Sequence, residues 1–209
     1  MLLMARYPDK YFDLAIVDPP YGIDIASKFG GEKRKSGNGA AMKTAFTKKN
    51  WDLSIPEMEY FNELFRLSKN QIIWGGNYFT KYLPNSMGWI VWNKNNGTTK
   101  FSDCELAFSS FDCALRMYTY TWNGMIQENM KEKELKTHPT QKPVALYKWL
   151  LDKYAKQGDK ILDTHLGSGS IAIACHDYGF DLTACELDKE YYDKAMERLN
   201  NHMAQQKLF

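Results

Sequence analysis

Residues 160–186 read KILDTHLGSGSIAIACHDYGFDLTACE, and this stretch decides the fold. It divides into a short apolar strand that ends at Asp163, a glycine loop, a helix that Gly179 closes, and a second strand that ends before Glu186. Strand, glycine turn, helix, strand and acid in this order are typical of the βαβ unit that binds nucleotides. The stretch therefore predicts a parallel α/β sheet with a ligand at the carboxyl edge of its strands.

The glycine loop indicates which kind of ligand. Leu166-Gly167-Ser168-Gly169 is followed by Ser170 and not by the further glycine of the dinucleotide fingerprint. This difference argues against a pyrophosphate and favours a cofactor that has a ribose but no phosphates. Glu186 is the candidate for the ribose hydroxyls. Its alternative role is that of a solvated acid at the start of the next helix, where acidic side chains favour the positive end of the helix dipole.

A second informative stretch lies near the start of the chain. The apolar run 14–17 ends in Asp18-Pro19-Pro20-Tyr21. Prolines cannot continue a strand ladder, so this turn is stiff and holds a carboxylate, a free carbonyl and an aromatic ring at the strand's end. These groups suit an exocyclic amine on a nucleobase: two acceptors for its two hydrogens and a ring for stacking. A turn that merely ends a strand is the alternative.

A third motif, His138-Pro139-Thr140-Gln141-Lys142-Pro143, stands between the other two. With it, the chain resembles the amino-group DNA methyltransferases of the permuted class β, in which the catalytic tetrapeptide precedes the cofactor loop. The resemblance extends over nearly the whole chain and is greatest to the compact members carried by phages and mobile elements. A helix start, with Pro143 at its first position, is the other interpretation of 138–143, and both can hold together.

The resemblance implies a fold, a reaction and a setting. The fold is α/β: a Rossmann-like methyltransferase sheet, mostly parallel with an antiparallel end, in circularly permuted motif order. The reaction is transfer of a methyl group from S-adenosyl-L-methionine to the N6 of adenine in double-stranded DNA, with the target base flipped out of the duplex. Asp18, Pro19, Pro20 and Tyr21 form the implied catalytic site. The setting is a restriction–modification system.

The resemblance also assigns the cofactor residues. Glu186 is expected on the ribose, the backbone of Leu166, Gly167, Ser168 and Gly169 against the methionine part, and Asp163 on the methionine amino group. Lys142 and Thr140 are expected at the methionine carboxylate, with His138 beside them. Thr164 and His165 depart from the family's usual proline and phenylalanine, which affects local contacts but not the identity of the cofactor.

Composition and charge agree with a DNA-modifying enzyme without requiring one. The 209 residues are 44% hydrophobic and 25% charged, and the net charge is +2. No apolar run is long enough for a bilayer, so no membrane association is expected. The four cysteines lack zinc-ligand spacing, and reduced thiols in the cytoplasm are expected, with no metal. Association with the nucleoid through DNA and a homodimer are further expectations.

Positive charge is concentrated directly after the tetrapeptide. With Glu32 as the only acid and with interspersed glycines, the segment is expected to be a mobile loop, inserted at about residues 25–50, that binds phosphates. The alternative is a solvated face. The candidate nucleic-acid residues are Lys28, Lys33, Arg34, Lys35, Lys43, Lys48 and Lys49.

The remaining chain predicts one catalytic domain, 1–209. A capping box at Ser54 and Glu57 should start an amphipathic helix, and residues 89–93, 104–109 and 114–122 should form three strands at the antiparallel end of the sheet. Only about fifteen residues separate Trp122 from Thr137, where larger relatives of the class carry a target-recognition domain. No separate domain of that kind is therefore expected.

Three further functions are compatible with these motifs. Cytosine N4 is chemically similar to adenine N6, although its methyltransferases more often begin the tetrapeptide with serine. RNA adenine is a second possible target. The third is a non-catalytic nucleic-acid-binding remnant, in which a short N-terminal segment has cost the chain its turnover. Glutamine methylation ranks lower, because those enzymes favour an Asn-Pro-Pro-Tyr motif.

Overall fold

A computed structural model describes residues 1–28, 46–97, 101–123 and 126–205. Seven strands form one sheet in the order β5-β3-β4-β2-β1-β8-β9, and β6 and β7 form a separate hairpin. The strands are β1 (Phe12–Val17), β2 (Ser68–Trp74), β3 (Ile90–Asn93), β4 (Cys104–Ser109), β5 (Arg116–Thr119), β6 (Trp122–Asn123), β7 (Ile126–Gln127), β8 (Lys160–Asp163) and β9 (Asp181–Ala184).

Strand directions confirm the predicted mixed sheet. β1 pairs in parallel with β2 and β8, and β8 pairs in parallel with β9. β4 is antiparallel to both of its neighbours, β2 and β3, whereas β3 and β5 are parallel to each other. The carboxyl ends of β1, β2, β8 and β9 therefore lie along one edge, which is where open α/β sheets bind their ligands.

Helices cover both faces of this sheet. They are α1 (Ile25–Lys28), α2 (Met58–Leu67), α3 (Val144–Tyr154), α4 (Ser170–Tyr178) and α5 (Lys189–Ala204). In β1, Leu14 and Ile16 pack into a core with α3 and α4, and Ala15 and Val17 pack into a second core with α2. Because residues 14–17 of β1 are buried on both faces, they form a continuous apolar run without alternation.

Two predicted helix starts differ from the structure. The capping box is wrong, because α2 begins at Met58 after Glu57 and has no side-chain cap. Ile55 precedes Pro56, and a residue before proline is disfavoured in helical conformation, so the helix cannot start from Ser54. Pro143 is the N-cap of α3 and not its first residue. No helix in the described part of the chain is long and apolar enough to cross a membrane.

Candidate active site

The turn after β1 is fixed by a buried aspartate from a distant segment. Asp52, 1% exposed, accepts hydrogen bonds from the backbone N–H groups of Tyr21 (2.7 Å), Gly22 (3.0 Å) and Ile25 (2.9 Å). This carboxylate replaces the ladder partners that the prolines prevent. Sequence reasoning missed Asp52, since nothing in its local pattern indicates a partner some thirty residues away. The turn that carries Asp18 is therefore preorganised.

Both carboxylate oxygens of Asp18 have partners. Tyr21 Oη donates to Oδ1 at 2.6 Å, and Lys142 Nζ lies 2.6 Å from Oδ2. Lys142 also pairs with Glu105 at 3.1 Å, and Lys94 pairs with the other oxygen of Glu105 at 2.6 Å. The result is a chain of alternating charges, with Glu105 and Lys94 contributed by the antiparallel end of the sheet. Neither of those two was predicted.

Burial and pairing set the charges in this chain. Burial raises the pKa of Asp18, against the opposing effect of Lys142. For Lys142, burial alone would lower the pKa, but Asp18 and Glu105 outweigh it and the pKa is raised. For Glu105, burial alone would raise the pKa, but the charges of Lys142 and Lys94 outweigh burial and lower the pKa to about 2. The ammonium and both of its carboxylate partners therefore form a compact ionic cluster.

The ring of Tyr21 is confined by Gly75, which follows β2. A Cβ on Gly75 would lie 2.1 Å from that ring, and the backbone there has φ +70°, so glycine alone fits. Tyr21 also stacks on Tyr78, with ring centroids 5.0 Å apart and planes 14° apart. Tyr78 is 41% exposed and faces the cavity described next. The tetrapeptide thus presents an aromatic pair.

Two cavities meet at Asp18. One, of about 390 Å³, is here called the Glu105 cavity, and the other, of about 420 Å³, the Glu186 cavity, after a carboxylate that lines each. Their common wall consists of Asp18, Pro20, Trp51, Thr140, Gln141 and Lys142. Pro19 and Tyr21 face the Glu105 cavity alone. Two ligand-sized spaces with a common wall can hold two molecules next to each other, and transfer between bound molecules depends on such proximity.

The glycine loop and Glu186 form the far wall of the Glu186 cavity. Gly167 N and Asp188 N each donate to one oxygen of Glu186 at 2.9 Å. Gly169, at φ +74°, caps α4, and its missing side chain leaves room for Ala195. Leu166 and Ser168 line the same cavity. Glu186 is therefore held rigidly, with lone pairs left over for a ligand.

Asp163 ends β8, is 2% exposed and accepts a hydrogen bond from His165 N at 2.9 Å. Burial raises its pKa to about 8, so the carboxyl group is mainly protonated at neutral pH. Burial also lowers the pKa of His165 to about 4. The Thr164 hydroxyl bonds to His165 Nδ1 (3.0 Å) and to Tyr60 Oη (2.7 Å). The two unusual residues of this loop are thus joined by a hydrogen bond of their own.

His138 and Thr140 also line the Glu186 cavity. Thr140 Oγ1 lies 3.1 Å from His138 Nδ1, and the His138 ring meets the Tyr191 ring edge to face, with centroids 4.2 Å apart. Burial lowers the pKa of His138 to about 3, so the ring is neutral. The structure therefore brings most of the predicted cofactor residues together in one cavity wall: His138, Thr140, Lys142, Leu166, Gly167, Ser168 and Glu186. Asp163 and Gly169 are not among the residues that line this cavity.

Arg198 joins these two segments from behind. Its guanidinium donates to Ser168 O and Ser170 Oγ, both at 2.9 Å, and pairs with Glu134 at 2.5 Å. Glu134 also accepts the first N–H of α3, from Val144, at 3.0 Å. Arg198 therefore ties the glycine loop to the segment before His138. Sequence reasoning missed this clamp, because its members come from three distant parts of the chain.

The basic segment is described only in part. Lys33, Arg34, Lys35 and Lys43 lie outside the described residues, and Lys28 ends α1. Lys48 is exposed. Lys49 forms ion pairs with Asp188 (2.8 Å) and Glu190 (2.9 Å) at the start of α5, beside the Glu186 cavity. Its charge is therefore matched by acids of the chain itself.

Metal-ligand clusters of three or more His, Cys, Asp or Glu side chains do not occur within the described ranges. All four cysteines, at positions 104, 113, 175 and 185, are free thiols.

Comparison with known proteins identifies relatives. Residues 111–197 match the family model described as DNA methylase. The chain is 38% identical to the type II methyltransferase M.HpaI of Haemophilus parainfluenzae over 69 residues, which are 33% of this chain and 22% of that protein. It is 28% identical to the type II methyltransferase M2.LlaDCHI of Lactococcus lactis subsp. cremoris over 138 residues, 63% of this chain and 50% of that protein. The chain thus spans half or less of these relatives.

The solved structure of the M1.HpyAVI–SAM complex has the same fold. The TM-score is 0.59 at 19% identity, covering 95% of this chain and 92% of that one. These matches confirm the resemblance to the amino-group (N6/N4) DNA methyltransferases and the predicted Rossmann-like α/β fold.

Proposed function

We propose that this chain, a relative of the DNA methylases, transfers a methyl group from S-adenosyl-L-methionine to the N6 of adenine in DNA. The observation that carries the proposal is the common wall of the two cavities, where Asp18 separates a space rimmed by Glu186 from a space rimmed by Tyr78. The cofactor occupies the first space and the target base the second. The two bound reactants then lie next to each other beside the carboxylate of Asp18.

The residues present suit this cofactor. Glu186, fixed by two backbone N–H groups, has lone pairs left for the ribose hydroxyls. Asp163 is buried directly before Thr164 and His165, which line the Glu186 cavity, and is the carboxyl group that we propose a ligand ammonium ionises and pairs with. The backbone of the glycine loop lies against the methionine part, with Thr140 and His138 opposite. When bound, the cofactor supplies an electrophilic methyl group on a sulfonium, whose C–S bond breaks as the new N–C bond forms.

The protein's own task is to prepare the amine. Adenine N6 is a weak nucleophile because its lone pair is delocalised into the ring. Asp18 and the Pro19 carbonyl accept hydrogen bonds from its two N–H groups, which draws the nitrogen towards tetrahedral geometry and aims the lone pair at the methyl carbon. The nitrogen is cationic once it carries the methyl group, and it becomes neutral by releasing one proton to water. Alignment of two bound reactants contributes several kcal/mol more. The aromatic pair Tyr21–Tyr78 offers the base a stacking face.

Two further parts of the proposal concern how the DNA is bound. The target base leaves the duplex, since N6 cannot be approached in line within it. The basic residues, Lys28, Lys33, Arg34, Lys35, Lys43 and Lys48, meet phosphates, whereas Lys49 serves as an anchor on α5. The proposal also includes a role in restriction–modification, a location on DNA in the cytoplasm, assembly as a homodimer and one catalytic domain over residues 1–209.

Cytosine N4 is the second candidate target. The observation that favours it is the Asp18–Lys142 pair, which presents an acceptor beside a donor at 2.6 Å. Cytosine offers the same neighbouring amine and ring nitrogen as adenine does. The experiment must also distinguish DNA methylation from methylation of RNA adenine and from nucleic-acid binding without catalysis.

The test is methyl transfer from labelled cofactor to mixed-sequence DNA and, in a parallel reaction, to RNA, followed by digestion to nucleosides and mass analysis. We expect N6-methyladenine from the parent protein, and no product from Asp18→Ala with unchanged cofactor binding. Asp9→Ala, which removes a carboxylate that is 75% exposed, is the matched control and should retain parental activity. N4-methylcytosine would replace the adenine proposal, label in RNA alone would exclude DNA, and no transfer would leave a binding module.

A further inference from the structure

The ammonium of Lys142 has three hydrogens and three oxygen neighbours. These are Asp18 Oδ2 at 2.6 Å, Glu105 Oε2 at 3.1 Å and Tyr21 Oη at 3.3 Å. The side chain is only 3% exposed, yet the residue stands in the common wall of both cavities. Its longest contact is to a neutral oxygen, so a ligand acceptor can replace that contact without unpairing a charge.

Asp18 and Lys142 together present an acceptor and a donor side by side to the Glu105 cavity. On the Watson–Crick edge of adenine, the amine donor and the acceptor N1 are joined through a single ring carbon. We propose that Lys142 donates to this ring nitrogen while Asp18 accepts from the amine, so that the pair recognises the amidine edge of the target base. This inference rests on the proposed function and names the part of the substrate that the site reads.

The same pair rejects the other bases by charge. Guanine and thymine carry a carbonyl oxygen where adenine carries the amine, and a ring N–H where adenine carries the acceptor. Their oxygen would face the carboxylate of Asp18, and their N–H would face the ammonium of Lys142. Two mismatched buried contacts are more costly than the loss of one hydrogen bond. Cytosine, with N4 and N3, shares the adenine pattern, so the pair admits both amino bases.

Glu105 is the positioning residue in this arrangement. It holds Lys142 from the side opposite Asp18 and is itself held by Lys94. Without Glu105 the ammonium would be free to turn wholly towards Asp18 and compete with the amine for its oxygens. Glu105→Gln should therefore raise KM for DNA more than it lowers kcat, because the edge is read less well while the transfer chemistry is intact.

The first arm of the test changes only the substrate. A DNA duplex is prepared with one site that the parent protein methylates, and the target adenine at this site is replaced by 1-deazaadenine or by 7-deazaadenine. We expect kcat/KM to fall about 10- to 100-fold for 1-deazaadenine, the range for one hydrogen bond to a charged group, and to stay within about twofold for 7-deazaadenine. Weaker pairing of 1-deazaadenine eases base flipping, so impaired flipping cannot be the source of that fall. Equal activity on 1-deazaadenine and adenine would overturn the proposal.

The second arm changes the protein. In Lys142→Met, kcat/KM on adenine should fall by a similar factor, and the variant should no longer distinguish 1-deazaadenine from adenine. Its dissociation constant for the cofactor should equal that of the parent protein. Lys136→Met is the matched control, because Lys136 lines the same cavity but lies over Trp122, and it should keep the parental discrimination. If Lys142→Met does not fold with its carboxylates unpaired, the double variant Lys142→Met with Glu105→Gln removes one of them.

The two arms separate this inference from its foundation. The inference would be overturned if Lys142→Met methylated adenine at the parental rate, bound the cofactor more weakly and still discriminated against 1-deazaadenine. Lys142 would then be assigned to the carboxylate of the cofactor. Absence of transfer to unmodified DNA by the parent protein would instead overturn the proposed function itself.

Discussion

The Tyr21 hydroxyl donates to the catalytic carboxylate at 2.6 Å, so the ring and the hydroxyl of this side chain have separate roles. Tyr21→Phe keeps the stacked pair with Tyr78 but removes a donor that stabilises the charged form of Asp18. We expect kcat to fall about tenfold, as for one bond to a charged group, and the acidic limb of the pH–rate profile to move to higher pH, since the pKa of Asp18 rises.

Tyr78→Phe is the control for this prediction and should leave the acidic limb in place. Tyr21→Ala, which removes both ring and hydroxyl, should reduce activity further than Tyr21→Phe. Identical pH–rate profiles for the parent protein and Tyr21→Phe would mean that the hydroxyl has no part in setting the charge of Asp18.

Asp163 should make cofactor binding depend on pH. The free protein holds it mainly protonated up to a pKa of about 8, whereas a bound ammonium requires the carboxylate, so binding releases a proton. The dissociation constant, measured by titration calorimetry, should therefore fall as pH rises from 6 to 8, by up to about tenfold per unit. Asp163→Asn should bind weakly and without this dependence. A pH-independent constant for the parent protein would remove Asp163 from the ammonium site.

The same shift has a consequence for stability. The folded pKa of Asp163 lies above the unfolded value of 3.8. Its contribution to the stability of the free protein is therefore complete below about pH 4 and is lost as pH rises towards 8.

At the level of elements, the Arg198 clamp fastens α5 to the glycine loop and to the start of α3. Its two side chains are 14% and 20% exposed, and Arg198→Met would leave Glu134 largely buried and without its cation. We expect a loss of about 2 to 4 kcal/mol in the free energy of unfolding, somewhat less than for a fully buried pair. Chemical denaturation measures this loss.

Lys189→Met breaks the exposed pair with Asp193 on the same helix and should cost less than about 1 kcal/mol. Cofactor affinity supplies a second readout, because Arg198 also holds Ser168 O in the glycine loop. Equal stability of the Arg198→Met and Lys189→Met variants would show that the clamp does not support the fold.

The basic segment should act through salt dependence. Each cation that neutralises a phosphate contributes about 0.9 to the slope of log affinity against log salt. Changing Lys33, Arg34 and Lys35 together to glutamine should flatten that slope by roughly two to three units if all three touch the DNA backbone. Binding to a fluorescent duplex at several salt concentrations gives the slope.

Two variants act as controls for the salt experiment. Lys49→Gln should leave the slope nearly unchanged, because Asp188 and Glu190 already match its charge. Lys153→Gln with Lys156→Gln removes exposed charges around the end of α3 and should do the same. A parental slope in the triple variant would assign DNA to another face.

The sequence predicted the elements with strong local signals. The run 160–163 is β8 to the residue, and Gly179 ends α4 in the left-handed conformation that glycine favours. The capping box failed because a proline inside it outweighed the favourable end residues. The clamp, Asp52 and Glu105 were missed for a shared reason: each acts on a segment far away in sequence, and composition and spacing carry no trace of such partners.

At the scale of the whole molecule, the placement of the site depends on the sheet. Asp18, Gly75 and Glu186 follow β1, β2 and β9, and parallel pairing brings all three to one edge. Glu105 reaches the same region from β4, which runs in the opposite direction. The carboxyl edge thus supplies the parts that face both cavities, and the reversed strand supplies the group that holds Lys142.

The catalytic turn follows β1, a strand that lies in the interior of the sheet and is buried on both faces over residues 14–17. Amide hydrogens of such a strand exchange with solvent only when the whole domain opens, whereas edge strands and helix ends exchange through local opening. Deuterium uptake should therefore be slowest at 14–17 and fast in β5 at the sheet's margin. The catalytic turn is then attached to an element that unfolds only with the whole domain. Heating should therefore abolish turnover and global structure at the same temperature.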